Sequence, residues 1–349
     1  MARATHVYVG AMTTKNGGVG GVYRREADGR TWNRLSNGLP DTNVRAITVD
    51  PANPDIVFLG TDHGPFRSKD RGESWERLGF PDTGMALWSI AIDPHNPRRM
   101  YAGGSPVAVY RSDDAGDNWT RMPDPGIANR VTMSFPCRVM RLAMHPANKD
   151  ELYATLEVNG VMRSTDAGRI WRDCTDDLAR LGDLPHLKSR ILSDTEIEGM
   201  LDGHAIAITP ADPDAVILAV RMGLFRSADQ GKTWQDMEVG RFSPVTYARD
   251  IRVSPHDPKT LYACLSVAAS SNFGCLYRSQ DVGQTWKRID EAMTANSTLM
   301  AVALHHSDPD TIFTVSRHGQ VFATGNGGAN WVEQPLPETV KDVYALACG

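Results

Sequence analysis

The sequence predicts an all-β fold, a seven-bladed β-propeller of four-stranded antiparallel blades, and three observations predict it. A turn motif recurs along the chain, an apolar strand with a proline turn recurs before it, and the two chain ends supply complementary parts of one repeat. The motif reads Ser/Thr-x-Asp-x-Gly-x-x-Trp. Five copies are complete: Ser68/Asp70/Gly72/Trp75, Ser112/Asp114/Gly116/Trp119, Ser164/Asp166/Gly168/Trp171, Ser227/Asp229/Gly231/Trp234 and Ser279/Asp281/Gly283/Trp286. A sixth, Thr324/Asn326/Gly328/Trp331, carries Asn for Asp, and a seventh is reduced to Gly29 and Trp32. Seven of the eight tryptophans thus stand at the last motif position, which leaves Trp88 outside the repeat.

Each motif residue has a physical task. Asp accepts hydrogen bonds from the turn backbone, Gly takes a φ that other residues resist, and Trp packs beneath the hairpin. The second signature appears at Ala46–Pro51 with Pro54, Ile90–Pro94 with Pro97, Ala205–Pro210 with Pro213 and Ile251–Pro255 with Pro258. One unit therefore reads strand a, proline turn, strand b, loop, strand c, motif turn, strand d. Four strands in about 43 residues is the size of a propeller blade. His6–Met12 matches a strand b with no strand a before it, and Val343–Cys348 matches a strand a with nothing after it. The C-terminal strand should complete the N-terminal blade, pairing two edges that would otherwise lie open.

These motifs resemble the Asp-box (BNR) repeat of sialidases, the sortilin luminal domain, family-74 xyloglucanases and the photosystem II assembly factor of chloroplasts. The resemblance covers nearly the whole chain and implies a propeller. It does not single out an activity, because those relatives do unrelated things. The Arg-Ile-Pro signature of sialidases is missing, and the count is seven blades where sialidases have six. Xyloglucanases of this repeat type are secreted, use two Asp acids and span two propellers, so one leaderless ring departs from them too.

One ring spanning residues 1–349 is expected, with an inserted segment at 176–202. Net charge is −5 with no Lys/Arg block, so neither nucleic acid nor an anionic membrane is an expected partner. The start, Met1-Ala2-Arg3-Ala4-Thr5-His6, has no apolar signal region, and five cysteines without framework spacing fit reduced thiols. A cytoplasmic location is the expectation. Cys264 and Cys275 read as core thiols of one hairpin.

The strand order puts proline turns and Asp-box turns on one face and the b–c and d–a loops on the other. Every sizeable insertion falls on the second face: Pro123–Arg138, Asp176–Asp202, Thr13–Gly21 and Ser266–Phe273. Elaborated loops on a rigid ring are where sites are built. Asp176–Leu181 and Lys188–Met200 read as short helical pieces, with Thr175 as N-cap of the first. The excursion is either a lid or a buttress.

His63, His204 and His318 lie at the elaborated end, while His95, His145, His256, His305 and His306 fall in proline turns. At the same height come Arg45, Trp88, Arg249 and Tyr344 at the start of a strand a, and Glu157 and Arg221 at the end of a strand b. Arg141, Asp250 and Arg252 interrupt a row that other blades fill with small residues. Charges so near a ring axis need partners or a ligand.

The arginines Arg45, Arg141, Arg221 and Arg249, with Trp88 and His318, suit binding of a small anionic or carbohydrate-like compound. His63, His204, Glu157, Asp250 and Tyr344 are the candidates for acid–base catalysis. A divalent metal held by His63, His204, His318 and Glu157 is a second use of the same side chains. No Gly-rich phosphate loop precedes a helix, so no nucleotide is expected. The leading expectation is a hydrolase or lyase; the alternative is a non-catalytic scaffold or assembly factor that binds a protein or peptide.

Overall fold

The computed structural model describes residues 5–349; Met1–Ala4, on which the expected lack of a signal region partly rests, lie outside the described residues. Among the described residues, 28 strands form seven four-stranded antiparallel sheets. The innermost strands are Val44–Val49, Ala86–Ile92, Arg138–Met144, Gly203–Thr209, Tyr247–Val253, Leu299–Leu304 and Val343–Cys348. Each packs beside the next, and Val343–Cys348 lies between Leu299–Leu304 and Val44–Val49, which closes the ring. Blade 1 joins both chain ends: Val343–Cys348 pairs with His6–Ala11, from Val7 opposite Cys348 to Ala11 opposite Val343. Blades 2 to 7 follow in chain order.

Apolar side chains meet in clusters shared by neighbouring blades. Tyr8 and Val22 of blade 1, for example, pack with Leu59, Phe66 and Trp75 of blade 2. Burying one such side chain contributes about 1.5–3 kcal/mol, so the ring is held mainly by these wedges between sheets.

The motif turns perform the expected task. Asp70 Oδ1 accepts the Ser74 N–H at 2.9 Å, and Ser68 Oγ accepts the Gly72 N–H at 2.6 Å. Asp114, Asp166, Asp229, Asp281 and Asn326 repeat the first bond at 2.8–2.9 Å. Gly116, at φ 90°, follows Ala115 at φ 63°, so two successive residues are left-handed, a sequence that glycine eases. Arginines fasten several of the turns to their neighbours: Arg67 Nη1 donates to Ala115 O at 3.2 Å, and Arg111 Nη1 to Ala167 O at 3.2 Å.

The 176–202 excursion departs in two ways from expectation. Asp176–Leu181 is helical, but of Lys188–Met200 only Glu198 onward is, in the short helix Glu198–Leu201. The reason is the Glu198 carboxylate, whose Oε2 accepts the N–H groups of Ile191, Leu192 and Ser193 at 2.8–3.0 Å. Three converging N–H groups bend that segment into a loop. Thr175 does not cap its helix; its Oγ1 accepts the Val161 N–H at 3.1 Å on blade 4. Leu178, Leu187, Met200 and Leu201 are buried with blade 5 residues, so the excursion is a buttress. Cys264 and Cys275 are buried free thiols that are not directly opposite in the hairpin register.

Candidate axial site

One local irregularity builds the site. Every innermost strand breaks register at the same height, between Val44 and Ala46, Leu87 and Ser89, Val139 and Arg141, Gly203 and Ala205, Ala248 and Asp250, or Leu299 and Ala301. In blade 1 the skip falls between Val343 and Ala345. A bulge leaves one residue unpaired and re-aims its side chain. The seven skipped residues are Arg45, Trp88, Met140, His204, Arg249, Met300 and Tyr344. All seven line one cavity of about 220 Å³.

The residue after each bulge decides what lies beneath. Blades 1, 2, 3, 5 and 7 place Ala or Ser there, which leaves room on the axis. Blades 4 and 6 place Arg141 and Asp250. Arg141 Nη2 lies 3.2 Å from Asp250 Oδ1, and Arg252 Nε lies 3.0 Å from Asp250 Oδ2. The Ile251 and Val302 N–H groups also donate to this carboxylate. Asp250 is fully buried and braces the ring; no oxygen is left for the acid–base work expected of it. Arg141 keeps 31% of its side-chain surface open, but toward the channel and not toward bulk water. Burial therefore pushes its guanidinium down to about 10, the charge of Arg252 adds to this, and Asp250 opposes it.

Above the cavity lies a vestibule of about 130 Å³, and Arg249, Met300 and Tyr344 line both. Glu157, Asp202, Arg221 and Tyr247 join them there. Most of these charges are already paired. Arg45 Nη1 bonds Asp62, Arg138 Nε lies 3.3 Å from Glu157, and Arg221 Nη2 lies 2.7 Å from Asp202. Arg221 Nη1 also reaches Glu198 at 2.9 Å, so this arginine anchors the buttress. Arg249 differs. It sits 5.8 Å from the Tyr344 ring centre and has no ion pair among the described residues. Burial opposes its charge, but the oxygens of Tyr247, Glu157 and Tyr344 outweigh burial and raise its pKa.

Aromatic rings and a relay complete the mouth. Trp88 meets Tyr344 edge-on at 5.6 Å, between the guanidiniums of Arg45 at 4.8 Å and Arg138 at 4.1 Å. His204 is buried, and its Nδ1 donates to Ala248 O at 2.7 Å. That bond turns Nε2 toward Tyr247 Oη at 3.2 Å and Asp202 Oδ1 at 3.4 Å. Burial pushes the Tyr247 phenol well above its ordinary value. Burial would raise Asp202 as well, but His204 and Arg221 hold its carboxyl well below the usual carboxylate range. A neutral phenol, an imidazole and a charged carboxylate in contact can pass a proton.

The structure thus brings Arg45, Trp88, Arg141, His204, Arg249 and Tyr344 together on the axis, with Glu157 and Arg221 in the vestibule above. His63 and His318 do not join them. His63 is exposed at the Thr61–Gly64 turn, and His318 is exposed in an off-axis hollow with Arg317, Lys341 and Asp342. Each lies two residues past the end of a strand b, in an exposed turn, whereas Glu157 ends its strand b and Arg221 directly follows its own. The set His63, His204, His318 and Glu157 does not converge, and no group of three or more His, Cys, Asp or Glu placed to hold a metal occurs among the described residues. Sequence reading missed Met140, Met300, Arg138, Asp202 and Tyr247. Asp202 and Tyr247 each lie two residues before a bulge residue, a spacing that could have found them.

The profile of the family described as sortilin, neurotensin receptor 3 matches residues 64–183, about a third of the chain. The xyloglucanase Xgh74A of Acetivibrio thermocellus is 23% identical over 70% of the chain. The chain spans 31% of that relative's length and 15% of a Paenibacillus xyloglucanase that it also matches. Among solved structures, a family-74 xyloglucanase from Xanthomonas campestris superposes with a TM-score of 0.65 at 20% identity, over 99% of this chain and 52% of that one. YCF48 bound to D1 peptide superposes with a TM-score of 0.54 at 13% identity, over 86% and 83%. The repeated motif, its turn geometry and these neighbours agree.

The chain is an Asp-box β-propeller.

No single member of that superfamily is singled out, and at these identities the structural neighbours of this Asp-box propeller speak to fold alone. No helix among its described residues is long and apolar enough to cross a membrane.

Proposed function

We propose that this Asp-box propeller is a hydrolase or lyase acting on a small anionic or sugar-like compound held in its axial mouth. The observation that carries the proposal is Arg249, a buried guanidinium without an ion pair among the described residues, at the junction of the two cavities. A carboxylate on the ligand would pair with it in bidentate fashion, between Trp88 and Tyr344. The Tyr247–His204–Asp202 relay lies beside that point and would move the proton, with His204 as general base and Tyr247 as donor. The xyloglucanase relatives support hydrolysis as one outcome. A cytoplasmic location belongs to the same proposal, supported by five free cysteines.

One observation favours a second reading, a peptide-binding scaffold. The carboxylates nearest the axis, Asp250, Asp202 and Glu157, are each engaged by an arginine, so among the described residues no pair of open acids faces the mouth. YCF48, seen with a D1 peptide, shows that a propeller of this fold can hold a chain segment.

Calorimetry with glucuronate, galacturonate and gluconate, followed by incubation with uronic-acid oligosaccharides, separates the readings. Elimination gives an unsaturated, ultraviolet-absorbing product, and hydrolysis gives new reducing ends. Arg249→Ala should abolish binding and His204→Ala should abolish turnover while binding persists. Binding without product hands the site to the scaffold reading. Undiminished binding by Arg249→Ala removes the axial mouth from both.

A further inference from the structure

The axis has a second mouth. On the face of the proline turns lies a cavity of about 440 Å³, lined by Ile47, Val49, Val253, Leu304 and Leu346 from blades 2, 6, 7 and 1. Ile47, Leu346 and Arg252 also line the axial cavity, so the two spaces meet at the waist of the ring. Aliphatic side chains predominate in the walls, Thr48, Asp50, His305, His306 and Ser307 add polar groups, and Arg252 is the guanidinium shared with the axial cavity. We propose that this mouth binds a small amphipathic monoanion, whose carboxylate meets Arg252 and whose apolar body lies against the aliphatic walls. This goes beyond the site proposed on the elaborated face and does not depend on it.

Charge complementarity selects the occupant. Arg141 and Arg252 share a single carboxylate, that of Asp250, so the waist holds one more cation than anion. Arg252 commits only its Nε to Asp250; neither Nη nitrogen has a hydrogen bond to a described residue, and 34% of its side-chain surface stays open. A guanidinium edge at the base of an aliphatic cup is costly to leave dry and unpaired. A carboxylate matches that edge, and the cup removes apolar surface of the rest of the ligand from water. Asp50, which also lines the mouth, spends its Oδ1 on the Ala52 and Asn53 N–H groups of its own turn. The cavity volume lies within the range of small-ligand sites.

The test is calorimetric titration of the whole chain with decanoate, and with decanol as the uncharged analogue. Decanoate should bind at least about tenfold more tightly than decanol, the contribution of one charge-assisted pair. Arg252→Gln should remove that preference, Leu304→Glu should weaken both ligands, and Arg249→Ala should leave both unchanged. The last variant separates this site from the elaborated mouth, whose own ligand it should lose. Melting temperatures identify any variant that fails to fold; if Arg252→Gln does, Leu304→Glu decides. No decanoate binding by the wild type overturns the proposal, as does equal affinity for decanol or loss of binding in Arg249→Ala.

Discussion

Arg141 of blade 4 and Asp250 of blade 6 meet at 3.2 Å, bypassing the blade between them. Neighbouring blades touch through apolar wedges. This pair, extended by Arg252, instead links two blades that are not neighbours in the ring. It makes the ring asymmetric at its narrowest level.

Asp250→Asn should therefore destabilise the fold by about 3 kcal/mol, because two guanidiniums at the waist lose their counter-charge. Arg141→Met in the same chain should recover part of the loss. Urea unfolding of the two variants measures both; a loss under about 1 kcal/mol for Asp250→Asn would remove its role as a brace.

The Asp-box carboxylates should stabilise the ring without serving the site. Hydrogen bonds from Asn118, the backbone N–H foremost, hold the Asp114 carboxyl down to about 2 from an ordinary 3.8. A folded pKa below the unfolded one means that the contribution is complete above 3.8 and is lost as pH falls through 2. Asp114→Asn should cost about 1 kcal/mol at neutral pH and make the acid loss between those values shallower. Ligand binding should not change. Lost binding at an unchanged melting temperature would overturn the structural assignment.

Deleting the last seven residues should cost several kcal/mol, since it exposes one edge of His6–Ala11 and removes the strand that touches two neighbouring blades. Thermal unfolding reads this directly. A truncated chain that melts with the parent would mean that the ring closes by other contacts.

Glu198→Gln should loosen the buttress. Burial would raise the Glu198 carboxyl, but the N–H groups of Ser193, Ile191 and Leu192 outweigh it and bring it to about 2. The amide keeps an acceptor but loses the charge opposite Arg221, at a cost of about 2 kcal/mol. Hydrogen exchange at Ile191, Leu192 and Ser193 should accelerate while exchange in blade 2 stays constant. Uniform protection across the two would place the anchor elsewhere.

Blade number and ring closure were legible because both rest on local chemistry. Asp, Gly and Trp at fixed offsets dictate one turn each, and Val343–Cys348 carries the pattern of an innermost strand. Five of the seven bulge residues stood out because Arg45, Trp88, His204, Arg249 and Tyr344 are unusual at the start of a buried strand. Met140 and Met300 fill the same position and were invisible, since a bulge leaves no mark on an apolar pattern. His63 and His318 misled for a related reason. Glu157 and Arg221, at the very end of a strand b, reach the vestibule, whereas His63 and His318 fall two residues past the strand in exposed turns. The Arg221–Asp202–Glu198 cluster could not be read either, because a loop must fold back before its acids meet that arginine.

The pairing of Val7 with Cys348 also bears on how fast this chain can fold. The other six blades form from contiguous sequence, so their hairpins close short loops early. Blade 1 brings together opposite ends of the chain, and loop-closure entropy delays that step while adding little to the final free energy. In the interval the edges of His6–Ala11 and of its waiting partner are open to strands from other molecules. Refolding yield should therefore fall with protein concentration more steeply than equilibrium stability suggests. A permuted chain whose ends fall between two intact blades should escape much of that loss.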